Sequence, residues 1–461
     1  MMAIASAADR SWSRVPSWLP AVVLIVVTSL IAPLIGALCR PLFLTGCVLV
    51  GYFAWARSPG EHLQAAIVLF SLAPFVRRVV DLTAGFDAAG TMIAGPLLAI
   101  LVPISELRVL LLPARATDRF MALFIVMGAC LAYCTLLTIA NGEWSQAISN
   151  MLKWGAPLVY GAALYLRKPD RVEVVRDATA AFAVVLPITG LYGLYQYIDP
   201  PLWDRYWLAH ASITSAGLPE PYLVRVFSTM HAPAAFASFT AIGLMLVVFL
   251  RRGWPAYLSI LPAVLALLLS LYRTAWLSLA VSVSICLLFP STRGKSISAI
   301  LVVALAVIAA LALSPFGEVI GDRLSTLANL SDDGSGNERL AQFATLYNRP
   351  DSTLFGSGFA SVDVGVAGAE PVDGMFVACW GSMGIVVGLL YLAALFAVIF
   401  GAIKHSLNDI RPEVIVLGAL ACGSLVQVPL ANITSGELGF LFWTFATLAW
   451  AGPPEGARGW N

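Results

Sequence analysis

Apolar runs of the length a bilayer demands recur along this chain and leave little room for any other architecture. A helix needs about 20 apolar residues to cross a hydrocarbon layer ~30 Å thick. Runs meeting or approaching that length fall at 18–38, 41–56, 63–79, 91–105, 120–140, 150–166, 178–198, 231–250, 255–271, 274–290, 297–315, 375–402, 413–430 and 436–451. Only 11% of the 461 residues are charged and 59% are hydrophobic, whereas soluble domains carry about 25% charged residues. Such a chain cannot cover a water-facing surface. The spacing predicts an all-α polytopic integral membrane protein of about 12–14 transmembrane helices, forming a single membrane domain over 1–461. A formal net charge of +1 offers no bulk field for nucleic acid.

Loop charge orients the chain. Arg10 and Arg14 precede the first run as in a signal peptide, but the run from Trp18 to Leu38 is too long for a cleaved core and is expected to be a retained span. With the N-terminus in the cytoplasm, the inner loops hold Arg10, Arg14, Arg57, Arg108, Arg115, Arg119, Arg167, Lys168, Arg171, Arg176, Arg251, Arg252, Arg293, Lys295, Lys404, Arg411 and Arg458. Every such loop is basic, as the positive-inside rule requires, and both termini are then cytoplasmic. Residues 255–290 are almost unbroken in their apolarity, and as one helix they would run ~54 Å. Basic loops on both sides instead predict two crossings, with Arg273 at the outer turn. Two substantial extracytoplasmic segments remain, 199–230 and 316–374, and loops beyond about 15 residues are usually functional or disordered.

Motifs for soluble chemistry are missing from this reading. The seven cysteines lie in or beside apolar runs and form no CxxC pair, which suits small packing side chains. His62, His210, His231 and His405 are far apart in sequence, so no ligand cluster of familiar spacing arises and no metal or cofactor is expected. Gly356-Ser-Gly358 does not follow a nucleotide-loop pattern. Asp332-Asp333-Gly-Ser-Gly-Asn337 lacks the alternating ligands of a calcium loop.

Several stretches resemble the O-antigen ligase and Wzy-type polysaccharide polymerase superfamily. Gly190-LYGLYQYIDPPLWDRYW-Leu208 is similar to sequence near the middle of exopolysaccharide polymerases, and Arg225-VFSTMHAPAAFA-Ser238 to the stretch entering the next span. Leu271-YRTAWLSL-Ala280 resembles the family's Ser-Arg-Thr/Ala signature, with Tyr272 in place of Ser. Arg323-LSTL and Glu338-Arg339-Leu340 match its scattered loop arginines. Asp373-GMFVACWGSMGIVVGLLYL resembles its closing block, with Gly374 in place of the usual Asn and Asp373 where ligases carry His. That last departure points to the polymerase branch. The resemblance spans roughly 70–450.

The resemblance implies a metal-independent glycosyltransferase without cofactor, at the outer face of the bacterial cytoplasmic membrane. It would use a polyprenyl-pyrophosphate-linked oligosaccharide as donor, among membrane lipid, beside a flippase and a chain-length regulator of the same pathway. Such chemistry needs guanidinium forks for the departing pyrophosphate, a base for the acceptor hydroxyl, and a greasy cleft beside a wet one. Arg273 is the first candidate. It either ends a span as an interfacial arginine or binds the donor, and the cost of charge near the membrane favours the second. Arg225, Arg323 and Arg339 are candidate helpers. Loop 316–374 carries nine acidic and three basic residues, so its arginines either pair with those acids or face the donor. Asp373 either caps the next helix or serves as the base. His231 ranks below the arginines. Tyr192, Tyr195, Tyr197, Trp203, Tyr206 and Trp207 could stack on sugar or form an interfacial belt. Ligase-type transfer of a finished glycan and a lipid-linked glycan flippase or transporter are the rival readings. Nearly all runs lack mid-span charge, which argues against ion-coupled transport.

Overall fold

The computed structural model describes residues 16, 18–111, 118–211, 214–251, 254–312, 354–359 and 374–451. Fifteen α-helices occur among them: α1 (Trp18–Ile35), α2 (Cys39–Arg57), α3 (Pro59–Ala84), α4 (Ala94–Leu101), α5 (Arg119–Ala140), α6 (Trp144–Arg167), α7 (Arg171–Ile198), α8 (Leu202–His210), α9 (Pro233–Leu250), α10 (Trp254–Leu269), α11 (Arg273–Leu287), α12 (Pro290–Ala312), α13 (Met375–Leu407), α14 (Pro412–Gln427) and α15 (Gly436–Trp450). No described residue belongs to a β-strand, and an isolated bridge joins Gly217 to Val224. Among the described residues, seven helical stretches are long and apolar enough to cross a membrane, with three shorter apolar helices beside them. The chain is an all-α, multi-pass membrane protein.

Local chemistry sets the boundaries. Ser58 accepts the Glu61 N–H and Pro59 opens α3. Asp118 and Asp170 accept the N–H groups of Phe120 and Val172 at the starts of α5 and α7. Each satisfies a donor that the first helical turn leaves free. The apolar stretch Trp18–Arg57 is 40 residues long, ~60 Å as one straight helix. Gly36, at φ 55, turns it back. A Cβ on Gly46 would strike the Leu24 side chain, so α1 and α2 run as a close antiparallel hairpin. The expected turn near Arg273 is also present. Leu271 takes φ 54 without help from glycine, and α11 begins at Arg273. The run 91–105 is less regular than expected: α4 spans only eight residues and continues as a 3-10 helix, Val102–Leu111. α8 falls inside 199–230, where no span was expected.

Side-chain contacts sort the helix ends into two groups. One end joins Trp55, Glu106 and Arg167, Tyr165 and Asp118, Arg171, Asp409 and Ala451, Arg176 and Glu413, and Lys295 with the carbonyls of Phe249 and Arg251. The opposite end joins Arg40 to Asp81, Arg225 to the α10–α11 turn, His231 to Glu437, Asn141 to Ser357 and Met375 to Val428. The first end is the basic one. Between the two ends the core is apolar, with Phe70 stacked on Phe440 and Phe124 packed on the buried Trp443.

Candidate functional site

The less basic end brings together two of the arginines singled out in the sequence. Arg225 precedes α9 in an extended segment whose N–H groups are anchored on Ala216 and, through Val226, on Leu269. Its guanidinium donates from Nε to the Ser270 carbonyl at 3.3 Å and from Nη2 to the Leu271 carbonyl at 3.2 Å. Those carbonyls belong to the turn that leads into Arg273. Arg273 is half-buried and is the first residue of α11, whose N-cap, Tyr272, makes no side-chain capping bond. Helical side chains lean towards the N-terminus, and the first turn of a helix leaves N–H groups free with a positive dipole end. Two guanidinium-bearing residues and an uncapped helix start therefore share one turn, an arrangement suited to an anion.

His231 stands at the mouth of α9 with its Nε2 3.8 Å from Glu437 Oε1, in the first turn of α15. This is a long contact, which holds the ring near α15. Asp373, Arg323 and Arg339 lie outside the described residues. The neighbouring Gly374 is described. It takes φ 95, and a Cβ on it would run into the Pro429 carbonyl oxygen. The Met375 N–H donates to Val428 O at 2.8 Å. The chain thus enters α13 against the segment that leads to Glu437. A side chain larger than glycine's at 374 would not fit this passage.

Beneath the turn lies an apolar groove of about 380 Å³ between α9, α10, α11 and α12. Leu267, Leu268 and Trp276 line it close to the turn; Leu244, Val248 and Val303 line it further along the helices. Trp276 Nε1 donates to the Leu267 carbonyl at 3.1 Å, tying the first turn of α11 to the last of α10.

A buried polar network, not anticipated from the sequence, supports the Arg225–His231 segment. Arg78, in α3, is 1% exposed. It donates from Nη1 to Met230 O at 2.5 Å and from Nη2 to Ser228 O at 2.6 Å. Its Nε lies 2.8 Å from Asp204 Oδ1, an ion pair without hydrogen-bond alignment. Its guanidinium carbon sits 4.9 Å above the Phe227 ring. Asp204 Oδ2 accepts from Tyr192 and Gln196, at 2.9 and 2.6 Å. Gln196 Oε1 accepts the N–H groups of Phe227 and Ser228. Burial pushes the Asp204 carboxyl up, while the Arg78 guanidinium and the Gln196 and Tyr192 donors pull it back down. The available signal was the Arg77-Arg78 pair at the end of an apolar run with Asp81 one turn on, since charge at membrane depth marks function by default.

The aromatic residues of this end are mostly committed to packing. Tyr192 bridges Trp203 and Asp204, and Tyr197 and Trp207 are buried. Tyr195, 49% exposed, retains a free face. Among the described residues no group of three His, Cys, Asp or Glu side chains converges as a metal site would require. Comparison with protein-family models and with curated proteins finds no match to this chain.

Proposed function

We propose that the protein is a membrane glycosyltransferase that polymerises polyprenyl-pyrophosphate-linked oligosaccharide repeat units into a surface or exopolysaccharide, at the outer face of a bacterial cytoplasmic membrane. The carrying observation is that the Arg225 guanidinium bonds the carbonyls of the turn leading into Arg273, next to an apolar groove. A lipid pyrophosphate has that shape: a doubly charged head on a long apolar tail. In this reading the arginines take the head and the groove takes the tail. The less basic end faces outward, the N- and C-termini lie inside, and the segments 199–230 and 316–374 form the outer surface over about 12–14 crossings.

The chemistry follows from the groups available. The acceptor hydroxyl oxygen attacks the anomeric carbon of the donor sugar, and its proton passes to Asp373. The bond from that carbon to the pyrophosphate oxygen breaks, and its electron pair stays on the pyrophosphate. Arg273 and Arg225, with Arg323 or Arg339, take up the charge that develops there. His231, beside Glu437, faces the same end and would contact substrate.

A deletion strain complemented with variants tests this. Loss of polymer with accumulation of single lipid-linked repeats is expected. Accumulated lipid-linked polymer would mean ligase-type transfer, and repeats held facing the cytoplasm would mean a flippase. Arg273→Ala should cut polymer formation by about 10²–10³, the usual effect of losing one preorganised donor. Arg273→Lys should be impaired too, because it keeps the charge and loses the fork. The N-cap of α13 is Gly374 rather than Asp373, so Asp373→Asn leaves the cap position untouched, removes the carboxylate and should abolish the base. Normal polymer from Arg273→Ala at normal protein level overturns the donor site, and the same result for Asp373→Asn overturns the base.

A further inference from the structure

We propose that Arg78 and Asp204 are positioning residues: a buried ion pair that holds the Arg225–His231 segment in its donor-binding shape before any donor arrives. The inference rests on the proposed function for what the segment binds, and on geometry for how the segment is held.

An arginine buried among apolar helices is costly unless its donors are used. Arg78 spends two of them on carbonyls of a single segment, those of Ser228 and Met230, and a third faces Asp204. Gln196 takes the matching N–H groups of Phe227 and Ser228 and ties them to Asp204 through its own Nε2. Thr229 Oγ1 donates to Ser71 O at 2.6 Å and Ser228 Oγ to Thr189 O at 2.5 Å. Six polar groups from 227 to 230 are thereby bound by α3 or α7, while the Val226 N–H goes to Leu269 in α10 and the Met230 N–H closes back on Phe227 O. Ser228 also sits at φ 53, a left-handed conformation that a non-glycine residue keeps only when its surroundings over-determine it. Arg225 stands at one end of this clamped segment and His231 at the other. A plain staple between spans would bond helix to helix. Here the donors converge on the short irregular stretch that carries the proposed binding groups, and rigid support of such groups is what a binding site requires.

The first test needs no mutation. In the full-length protein in nanodiscs, hydrogen exchange of the 226–230 amides should be slow with no ligand added. Fast exchange that slows only on adding undecaprenyl pyrophosphate would show that ligand, not Arg78, orders the segment, and would overturn the proposal. The second test measures undecaprenyl pyrophosphate affinity. Arg78→Lys keeps the charge beside Asp204 but cannot reach both carbonyls. It should weaken binding about tenfold, the scale of a lost charge-assisted hydrogen bond, measured well below a melting transition that the variant retains. Added to Arg225→Ala, it should weaken binding by clearly less than tenfold, because part of its effect runs through Arg225. Unchanged affinity, or losses that simply add, would make Arg78 a structural residue only. Absence of binding by the wild-type protein would remove the proposed function, while the exchange measurement would still decide the clamp.

Discussion

Asp409 shows how a single exposed-side carboxylate couples this bundle to pH. It follows α13 and accepts from Arg411 at 2.6 Å and from Arg171 at 2.7 Å, and Arg171 also donates to the Ala451 carbonyl at 3.0 Å. The Asp409–Arg171 pair thus links the ends of α13 and α15 to the start of α7. The hydrogen bonds from Arg411 hold its carboxyl below the ordinary value of 3.8, against a smaller opposing effect of burial. A depressed folded pKa contributes stability that is complete above the unfolded value and is lost as pH falls through the folded value. The melting temperature of the solubilised protein should therefore drop between pH 5 and the acid side of the ordinary carboxylate range. Asp409→Asn should lower the melting temperature at pH 7 and shrink that acid-induced drop. A variant whose acid dependence equals the wild type would assign the pH response to other carboxylates. The residue itself was invisible as a hub in the sequence. Asp409 next to Arg411 reads as a solvated loop, and its bond to Arg171 joins positions 238 apart.

At the scale of elements, α13 departs furthest from its sequence pattern. The run 375–402 reads as one unbroken apolar helix, yet Gly384 takes φ 74 and ψ 176, values no helix contains. The carbonyls released by this break are used by an outside segment: Ser357 N–H donates to Gly381 O at 2.9 Å and Gly358 N–H to Ser382 O at 3.0 Å. Tyr133 and Asn141 hold the same segment through the carbonyls of Phe355 and Ser357. Broken helices are tolerated at membrane depth only where such partners re-satisfy the backbone. Gly356-Ser-Gly358, uninformative as a nucleotide motif, is thus a strap whose glycines are required sterically. Both glycines take positive φ, and a Cβ at either would press on Ser382 or Thr138. Gly384→Ala should expel the strap, because its Cβ would enter the space of the Leu354 carbonyl. Labelling of Ser357→Cys by a membrane-impermeant maleimide should rise in that background, and equal labelling with and without Gly384→Ala would mean that the strap is not seated on the break. Hydropathy cannot reveal such a feature, since glycine is compatible with an apolar run and the strap lies outside that run, before α13 in the chain. Turns without glycine are as hard to read from local chemistry: Leu271 carries the α10–α11 turn, and only run length together with loop charge exposed it.

For the whole molecule, charge scarcity and run length are global constraints, so the all-α multi-pass architecture was legible while the support of the site was not. Arg225 and Arg273 could be placed on one side by counting crossings. Their meeting, and the dependence of the first on Arg78, Gln196 and Asp204, required residues far apart in sequence to be brought together without any period to announce them. The same global reasoning carries the remaining prediction. Arg57, Arg167, Arg171, Arg176 and Lys295, with Lys168, Arg251, Arg293, Lys404 and Arg411 beside them, crowd one end, and several pair with acids there just as Arg40 and Arg77 pair with Asp81 and Arg78 with Asp204 at the other. Basic residues resist translocation whether or not an acid lies beside them, since carboxylates contribute little to orientation, so the end that carries more of them should face the cytoplasm. α1 starts at that end, because its far end turns into α2 beside Arg40, which is bound to Asp81 at the opposite one. A reporter that works only in the cytoplasm, fused after Asn461, should be active, and one that works only outside should be active when inserted at Gly334. A cytoplasmic signal at Gly334 would place the Arg225–Arg273 turn on the wrong side of the membrane for an outward-facing lipid-linked donor, and the proposed polymerase would fall with it.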